Sequence, residues 1–106
     1  MKHRIRTAAM ILLAASIAAP AFAQSAGADT YKAKCAMCHG PDGTAATPMG
    51  KMMKIPSFKD PDLVKATDAA LIAATKDGKG KMPAYNGKLT DAQIKEVVTF
   101  IRTLQK

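Results

Sequence analysis

The pattern Cys-x-x-Cys-His, formed by Cys35, Cys38 and His39, limits what this chain can fold into more than any other feature. It is the attachment pattern of c-type haem, in which two thiols add to the porphyrin and the adjacent imidazole binds the iron. The cysteines lie three positions apart, about one helical turn, so both sulfurs project from one helix face. We therefore predict one covalently attached haem c per chain, held by Cys35 and Cys38, with His39 as the proximal iron ligand.

Other sites that use two nearby cysteines lack the residues they need here. The chain has only two cysteines and two histidines, so a zinc site of four thiolates is excluded. His3 lies in a segment that we expect to be removed, which also excludes a site of two cysteines and two histidines. A haem-free dithiol redox protein stays open as an alternative, although no strand alternation typical of a thioredoxin-like βαβ unit is present.

Residues 1–23 have the pattern of a secretory signal peptide. A basic start precedes an apolar run over residues 8–19, and Ala21-Phe22-Ala23 is a small-x-small cleavage signal. The apolar run is shorter than the roughly 20 residues that span a bilayer. We therefore expect cleavage before Gln24, a periplasmic or otherwise exported protein without a stable membrane anchor, and one mature domain over residues 24–106.

Charge and motif content exclude several functional classes. The formal net charge is +8, and three of the basic residues belong to the predicted signal peptide. Lysines without interleaved aromatic residues give no basis for proposing nucleic-acid binding. No phosphate-binding glycine loop, paired carboxylates or nucleophile-plus-base arrangement is present. The sequence therefore predicts no enzyme active site.

Several features beyond the cysteines resemble small class I monohaem bacterial cytochromes c, including the c6-like proteins. Gly27 and Tyr31 precede the haem motif, Met82-Pro83-Ala84-Tyr85 follows a glycine-rich stretch, and an amphipathic helix ends the chain. The resemblance covers residues 26–105. It implies an all-α class I cytochrome c fold, with three to five helices wrapped around one covalently bound haem. It also implies that the glycine lets the C-terminal helix cross closely, although an ordinary linker glycine is an equal alternative.

The same resemblance makes Met82 the distal ligand of the haem iron. Pro83 supports this assignment, because it biases the preceding residue away from helical geometry, toward an extended chain that can project its sulfur. Met49, Met52 and Met53 are rival ligands. We expect Met52 and Met53 to fill gaps against the haem or the core, as methionines commonly do.

A proline carbonyl in this family accepts the second N–H of the proximal histidine. Pro48 is the candidate in this chain, with a plain loop proline as the alternative. Such a partner would fix the tautomer of His39.

Helix signals divide the mature chain into a few segments. Residues 41–56 are expected to be loop, because proline and glycine interrupt any helical period. Thr90 and Gln93 predict a capping box, and Gly78 is placed to end a helix in a left-handed conformation. Helices or short helical turns are predicted at residues 27–34, around 63–64 after Pro61, at 69–76 after a cap at Thr67 or Asp68, and at 89–105.

The resemblance implies an exported carrier that transfers one electron at a time between redox partner proteins. We expect it to be a monomer. The motif's edge of the haem would be exposed near Lys34, Lys79 and Lys81, so an acidic docking surface on the partner is expected. Further lysines could join this rim, namely Lys51, Lys54 and Lys88. Two alternatives stay open: these lysines only solvate the surface, or a labile Met82 makes the protein a haem enzyme or sensor.

Overall fold

The structure, a computed structural model, describes residues 19–106, with side chains from Ser25 onward. Most of the predicted signal peptide therefore lies outside the described residues. The first described helix runs across the predicted cleavage position between Ala23 and Gln24, and cleavage there stays a prediction.

Six helices and no strand occur within residues 19–106, which confirms the predicted all-α class. The number exceeds the expected three to five, because three of the helices are only four or five residues long. The helices are α1 (Ala19–Lys34), α2 (Ala36–His39), α3 (Pro48–Met52), α4 (Pro61–Lys65), α5 (Asp68–Asp77) and α6 (Asp91–Leu104).

Helices α1 and α6 cross in close contact at Gly27. A Cβ atom at this position would meet the backbone carbonyl of Glu96, with the carbonyl carbon at 2.8 Å and the Cβ of Phe100 at 3.2 Å. Because backbone atoms of a packed helix cannot swing aside, only glycine permits this approach. The expected close crossing is confirmed.

The core lies between these two helices and the loop that follows the haem motif. Thr90 and Gln93 form both halves of the predicted capping box at the start of α6. The predicted apolar stripe of this helix is buried, and Tyr31 packs its ring against Phe58 and Phe100 with centroids 6.3 and 5.1 Å away. The buried residues of α6 are Ile94, Val97, Val98 and Ile101.

The segment 41–56 is not loop throughout, which corrects the prediction. Thr47 caps the short helix α3 by accepting a hydrogen bond from the Gly50 N–H at 3.0 Å, and Pro48 occupies the first helical turn. A capping threonine followed by proline is a helix-start signal that the surrounding turn formers obscured.

The middle helices begin as predicted. Asp60 caps α4, in which Pro61 occupies the first turn, and Thr67 rather than Asp68 caps α5. Gly78 ends α5 with φ 79° and ψ 165°. The positive φ agrees with the prediction, whereas the ψ value lies outside the left-handed helical region and is accessible essentially to glycine alone.

Arg102 fastens the end of α6 to the α4–α5 connection, a link that the sequence analysis did not predict. Its Nε donates to the Asp68 carboxylate at 2.8 Å, and its other nitrogens donate to the carbonyls of Leu63 and Ala66. The Gln105 amide adds a bond to the Phe58 carbonyl at 3.1 Å. The bonds from Arg102 satisfy carbonyls at the end of the short α4 that have no helical partners.

Candidate haem site

The haem motif occupies a kinked junction between α1 and α2. The Cys35 N–H still donates to the Tyr31 carbonyl at 2.8 Å, while the N–H groups of Cys38 and His39 both donate to the Cys35 carbonyl at 3.2 and 3.0 Å. The two cysteines lie one turn apart and form no disulfide. The motif therefore forms about one helical turn, as predicted.

Tyr31 holds the residue that follows the haem motif. Its buried hydroxyl donates to the Gly40 carbonyl at 2.6 Å. Gly40 ends α2 with φ 81° and ψ 159°, a conformation essentially restricted to glycine. This conformation and the bond from Tyr31 set the direction of the chain after the motif. Burial, with nearby Cys35 and Asp42, raises the pKa of the Tyr31 hydroxyl, which keeps it protonated as a donor.

A cavity of about 560 Å³ brings together all four side chains that the sequence analysis assigned to the haem, Cys35, Cys38, His39 and Met82. This volume lies within the range of about 300–1,000 Å³ that is usual for cofactor pockets. Most of its other walls are apolar. The apolar residues among them are Met53, Ile55, Pro56, Phe58, Leu63, Leu71, Ala74, Pro83, Val97 and Ile101.

His39 lies against one wall of the cavity. Its ring stacks on Phe58 with centroids 4.5 Å apart and an interplanar angle of 16°. Burial lowers the pKa of the imidazole, so the neutral form that binds metal is favoured. This stacking could not be predicted from the sequence, because residues 19 positions apart carry no local signal of contact.

The Nδ1 atom of His39 is buried and has no hydrogen-bond partner among the described residues. The prediction that the Pro48 carbonyl accepts this N–H is therefore wrong. Pro48 begins helix α3, where carbonyl groups point along the helix axis toward the next turn. Cys35, Cys38 and His39 nevertheless line one mostly apolar cavity, and this set of side chains fits a covalently attached haem.

The two cysteines differ in exposure. Cys35 is buried, and burial together with the neighbouring Cys38 raises the pKa of its thiol to about 11. Cys38 is half-buried. Cys35 is therefore the more enclosed of the two, and both cysteines line the cavity that the other site residues share.

Met82 is held by a tight reverse turn. Lys79 and Met82 exchange two backbone hydrogen bonds of 3.2 and 3.0 Å across a turn in which Gly80 has φ 58°. A Cβ atom on Gly78 would lie 2.8 Å from the Met82 carbonyl oxygen and 2.9 Å from the Ala84 nitrogen. The methionine thus depends on glycine at the end of α5 for its position.

The rival methionines have different surroundings. Met53 lines the cavity with Ile55 and Phe58, as expected. Met52 is 69% exposed, so the prediction that it packs on the haem or the core is wrong. The reason is helix α3, which places the two neighbouring side chains on different sides. Met49 does not line the cavity, which leaves Met53 as the rival of Met82 within the described part of the chain.

Four exposed lysines surround the cavity opening. Lys34, Lys79 and Lys81 line it as expected, together with Lys54. The remaining candidates Lys51 and Lys88 do not line it. Lys88 instead places its Nζ 5.9 Å from the centroid of the Tyr85 ring.

Comparison with known proteins shows which family this chain resembles. A family model described as "Cytochrome C oxidase, cbb3-type, subunit III" matches residues 22–101. A cytochrome c6 from Picosynechococcus sp. is 36% identical over 89 residues, which cover 77% of this chain and 75% of that protein.

The chain belongs to the cytochrome c family. A cytochrome c-551 from Halorhodospira halochloris is 40% identical over 67 residues, covering 63% of this chain and 77% of that protein. The solved KustC0563 c-type cytochrome superimposes with a TM-score of 0.69 and 29% identity, covering 76% of this chain and 98% of that one. The class I monohaem cytochrome c fold expected from the sequence is confirmed.

Members of this cytochrome c family carry covalently bound haem c, so haem c is the cofactor of this chain. The cytochrome c acts in electron transfer and is not an enzyme, in agreement with the sequence analysis. Within residues 19–106, each helix is too short or too polar to pass through a membrane.

Proposed function

We propose that this cytochrome is exported and carries single electrons between partner proteins, with one haem c bound through Cys35 and Cys38 and axially through His39 and Met82. The observation that supports this proposal is the single cavity of about 560 Å³ that all four side chains line. The haem, when bound, supplies the one-electron chemistry of its iron.

Cys35 and Cys38 make the covalent attachment in this proposal. Their thiols would hold the haem through thioether bonds, and addition of an S–H group across a vinyl group would need no oxidant. Most of the walls around the thiols are apolar and suit the porphyrin faces.

His39 and Met82 would bind the haem iron in this proposal. The imidazole offers its neutral lone pair because burial opposes its protonation, and the ring of Phe58 orients it by stacking. A thioether is a weak ligand that raises the reduction potential of haem iron. With both side chains bound, the iron would have no position open for a substrate, which would suit a protein that only transfers electrons.

The lysines at the cavity opening suit an acidic partner. Lys34, Lys54, Lys79 and Lys81 form this cationic rim, and uniform positive charge speeds encounters with an acidic surface. Export is supported by the signal-peptide pattern of residues 1–23. We therefore propose a periplasmic or otherwise exported carrier, which the family resemblance leads us to expect as a monomer.

The test of the axial ligands compares two methionine variants of the purified holoprotein. Met82→Ala should abolish the sulfur-to-iron charge-transfer absorption of the ferric form and allow carbon monoxide to bind the reduced form. Met53→Ala, which changes the rival methionine of the same cavity, should keep the absorption and exclude carbon monoxide. The opposite pattern would make Met53 the ligand, and carbon monoxide binding to the unaltered protein at neutral pH would reject the carrier assignment.

A further inference from the structure

We propose that Tyr85 is a positioning residue, whose hydroxyl holds the segment carrying Met82 against the helix that carries the haem motif. This inference rests on the proposed function, in which Met82 binds the iron. The Tyr85 hydroxyl donates to the Lys34 carbonyl at 3.0 Å, between residues 51 positions apart in the chain. Both residues line the cavity, so the bond joins its two sides at the edge.

The Lys34 carbonyl is available because the backbone kinks at Cys35. In a continuous helix this carbonyl would accept from the Cys38 N–H, four residues later. Here Cys38 and His39 both donate to the Cys35 carbonyl instead. Among the described residues no backbone N–H donates to Lys34, and the Tyr85 hydroxyl satisfies the oxygen that the kink leaves free.

The other bonds of this segment lead to a different helix. The Tyr85 N–H donates to the Thr75 carbonyl and the Asn86 N–H to the Lys76 carbonyl, both at 3.0 Å. These bonds fix residues 85–86 to the end of α5. Within the described part of the chain, the phenol supplies the hydrogen bond from this segment to α1.

A displacement of Tyr85 would reach Met82 through a short, stiff connection. Only Pro83 and Ala84 separate the two residues, and the proline ring fixes its own φ angle. The Met82 backbone is also paired with Lys79, so the turn moves as a unit. Loss of the phenolic bond would therefore let the whole turn move outward and raise the fraction of molecules in which Met82 has left the iron.

The experiment measures how readily imidazole replaces Met82 in the ferric holoprotein, by titration followed in the visible spectrum. Tyr85→Phe removes the hydroxyl and keeps the ring in the cavity wall. We expect the apparent affinity for imidazole to rise roughly fivefold, as loss of one net hydrogen bond would predict. Thr99→Val is the matched control, because it removes a hydroxyl that donates to the Lys95 carbonyl at 3.0 Å, at an exposed position of α6. Its imidazole affinity should equal that of the unaltered protein.

The outcomes separate this inference from the proposed function. An unchanged imidazole affinity in Tyr85→Phe would overturn the positioning role, as would an equal rise in Tyr85→Phe and Thr99→Val. Survival of the sulfur-to-iron absorption in Met82→Ala would instead reject Met82 as the ligand, whatever the Tyr85 variant does. A rise confined to Tyr85→Phe, with the absorption lost in Met82→Ala, would support both.

Discussion

Replacing Gly27 with alanine sets two opposing effects against each other at the α1–α6 crossing. In an ordinary helix interior the change stabilises by about 1 kcal/mol, because glycine is the poorer helix former. Here the new Cβ would lie 2.8 Å from the Glu96 carbonyl carbon and 3.2 Å from the Phe100 Cβ, distances that require α6 to move. Overpacking of this kind costs about 1–3 kcal/mol, and a backbone neighbour favours the upper value. The expected net effect is a loss of about 2 kcal/mol in the free energy of unfolding.

Guanidinium denaturation of the holoprotein would measure this loss as a shift of the unfolding midpoint. Ala33→Gly, at an exposed position of the same helix, is the control for helix propensity and should lower stability by about 1 kcal/mol. If Gly27→Ala increased stability, as propensity alone would require, the close crossing of the two helices would be refuted.

Two further variants test the scaffold and the docking surface. Arg102→Leu should lower the free energy of unfolding by about 2–3 kcal/mol, because the α4 carbonyls and Asp68 lose a charged donor, while the visible spectrum stays unchanged; no loss in denaturation would contradict that role. Lys81→Glu changes a lysine that lines the cavity. At low salt it should slow oxidation of the reduced protein by anionic ferricyanide several-fold. The difference in rate between variant and unaltered protein should shrink near 1 M salt, where the Debye length is about 3 Å. Lys95→Glu, at an exposed position of α6 that does not line the cavity, should have a smaller effect. Equal slowing by both variants would show that the lysines at the cavity do not attract the anion locally.

Local signals made part of this fold predictable. The haem motif spans one helical turn, and the capping box of Thr90 and Gln93 needs only residues three positions apart. Caps at Asp60 and Thr67 are equally local. Each of these features depends on side chains that reach the backbone of the same turn, so a short stretch of sequence contains the whole interaction.

Contacts between distant segments were not predictable in this way. Arg102 binds carbonyls more than 30 positions away, and the Tyr85 hydroxyl acts on a carbonyl that is free only because the helix kinks at Cys35. The incorrect role of Pro48 has a similar origin. Whether a proline carbonyl faces a histidine depends on the path of the intervening chain, and a helix of five residues changes that path.

The central claim is that Cys35 and Cys38 hold one haem c covalently beside His39. A reduced-minus-oxidised visible spectrum of the purified mature protein, recorded before and after denaturation and haem extraction, tests it most directly. We expect a low-spin haem spectrum and a colour that stays with the unfolded chain, but that is extracted when both cysteines are replaced by serine. A colourless mature protein, or haem that leaves the unaltered chain on denaturation, would contradict the account.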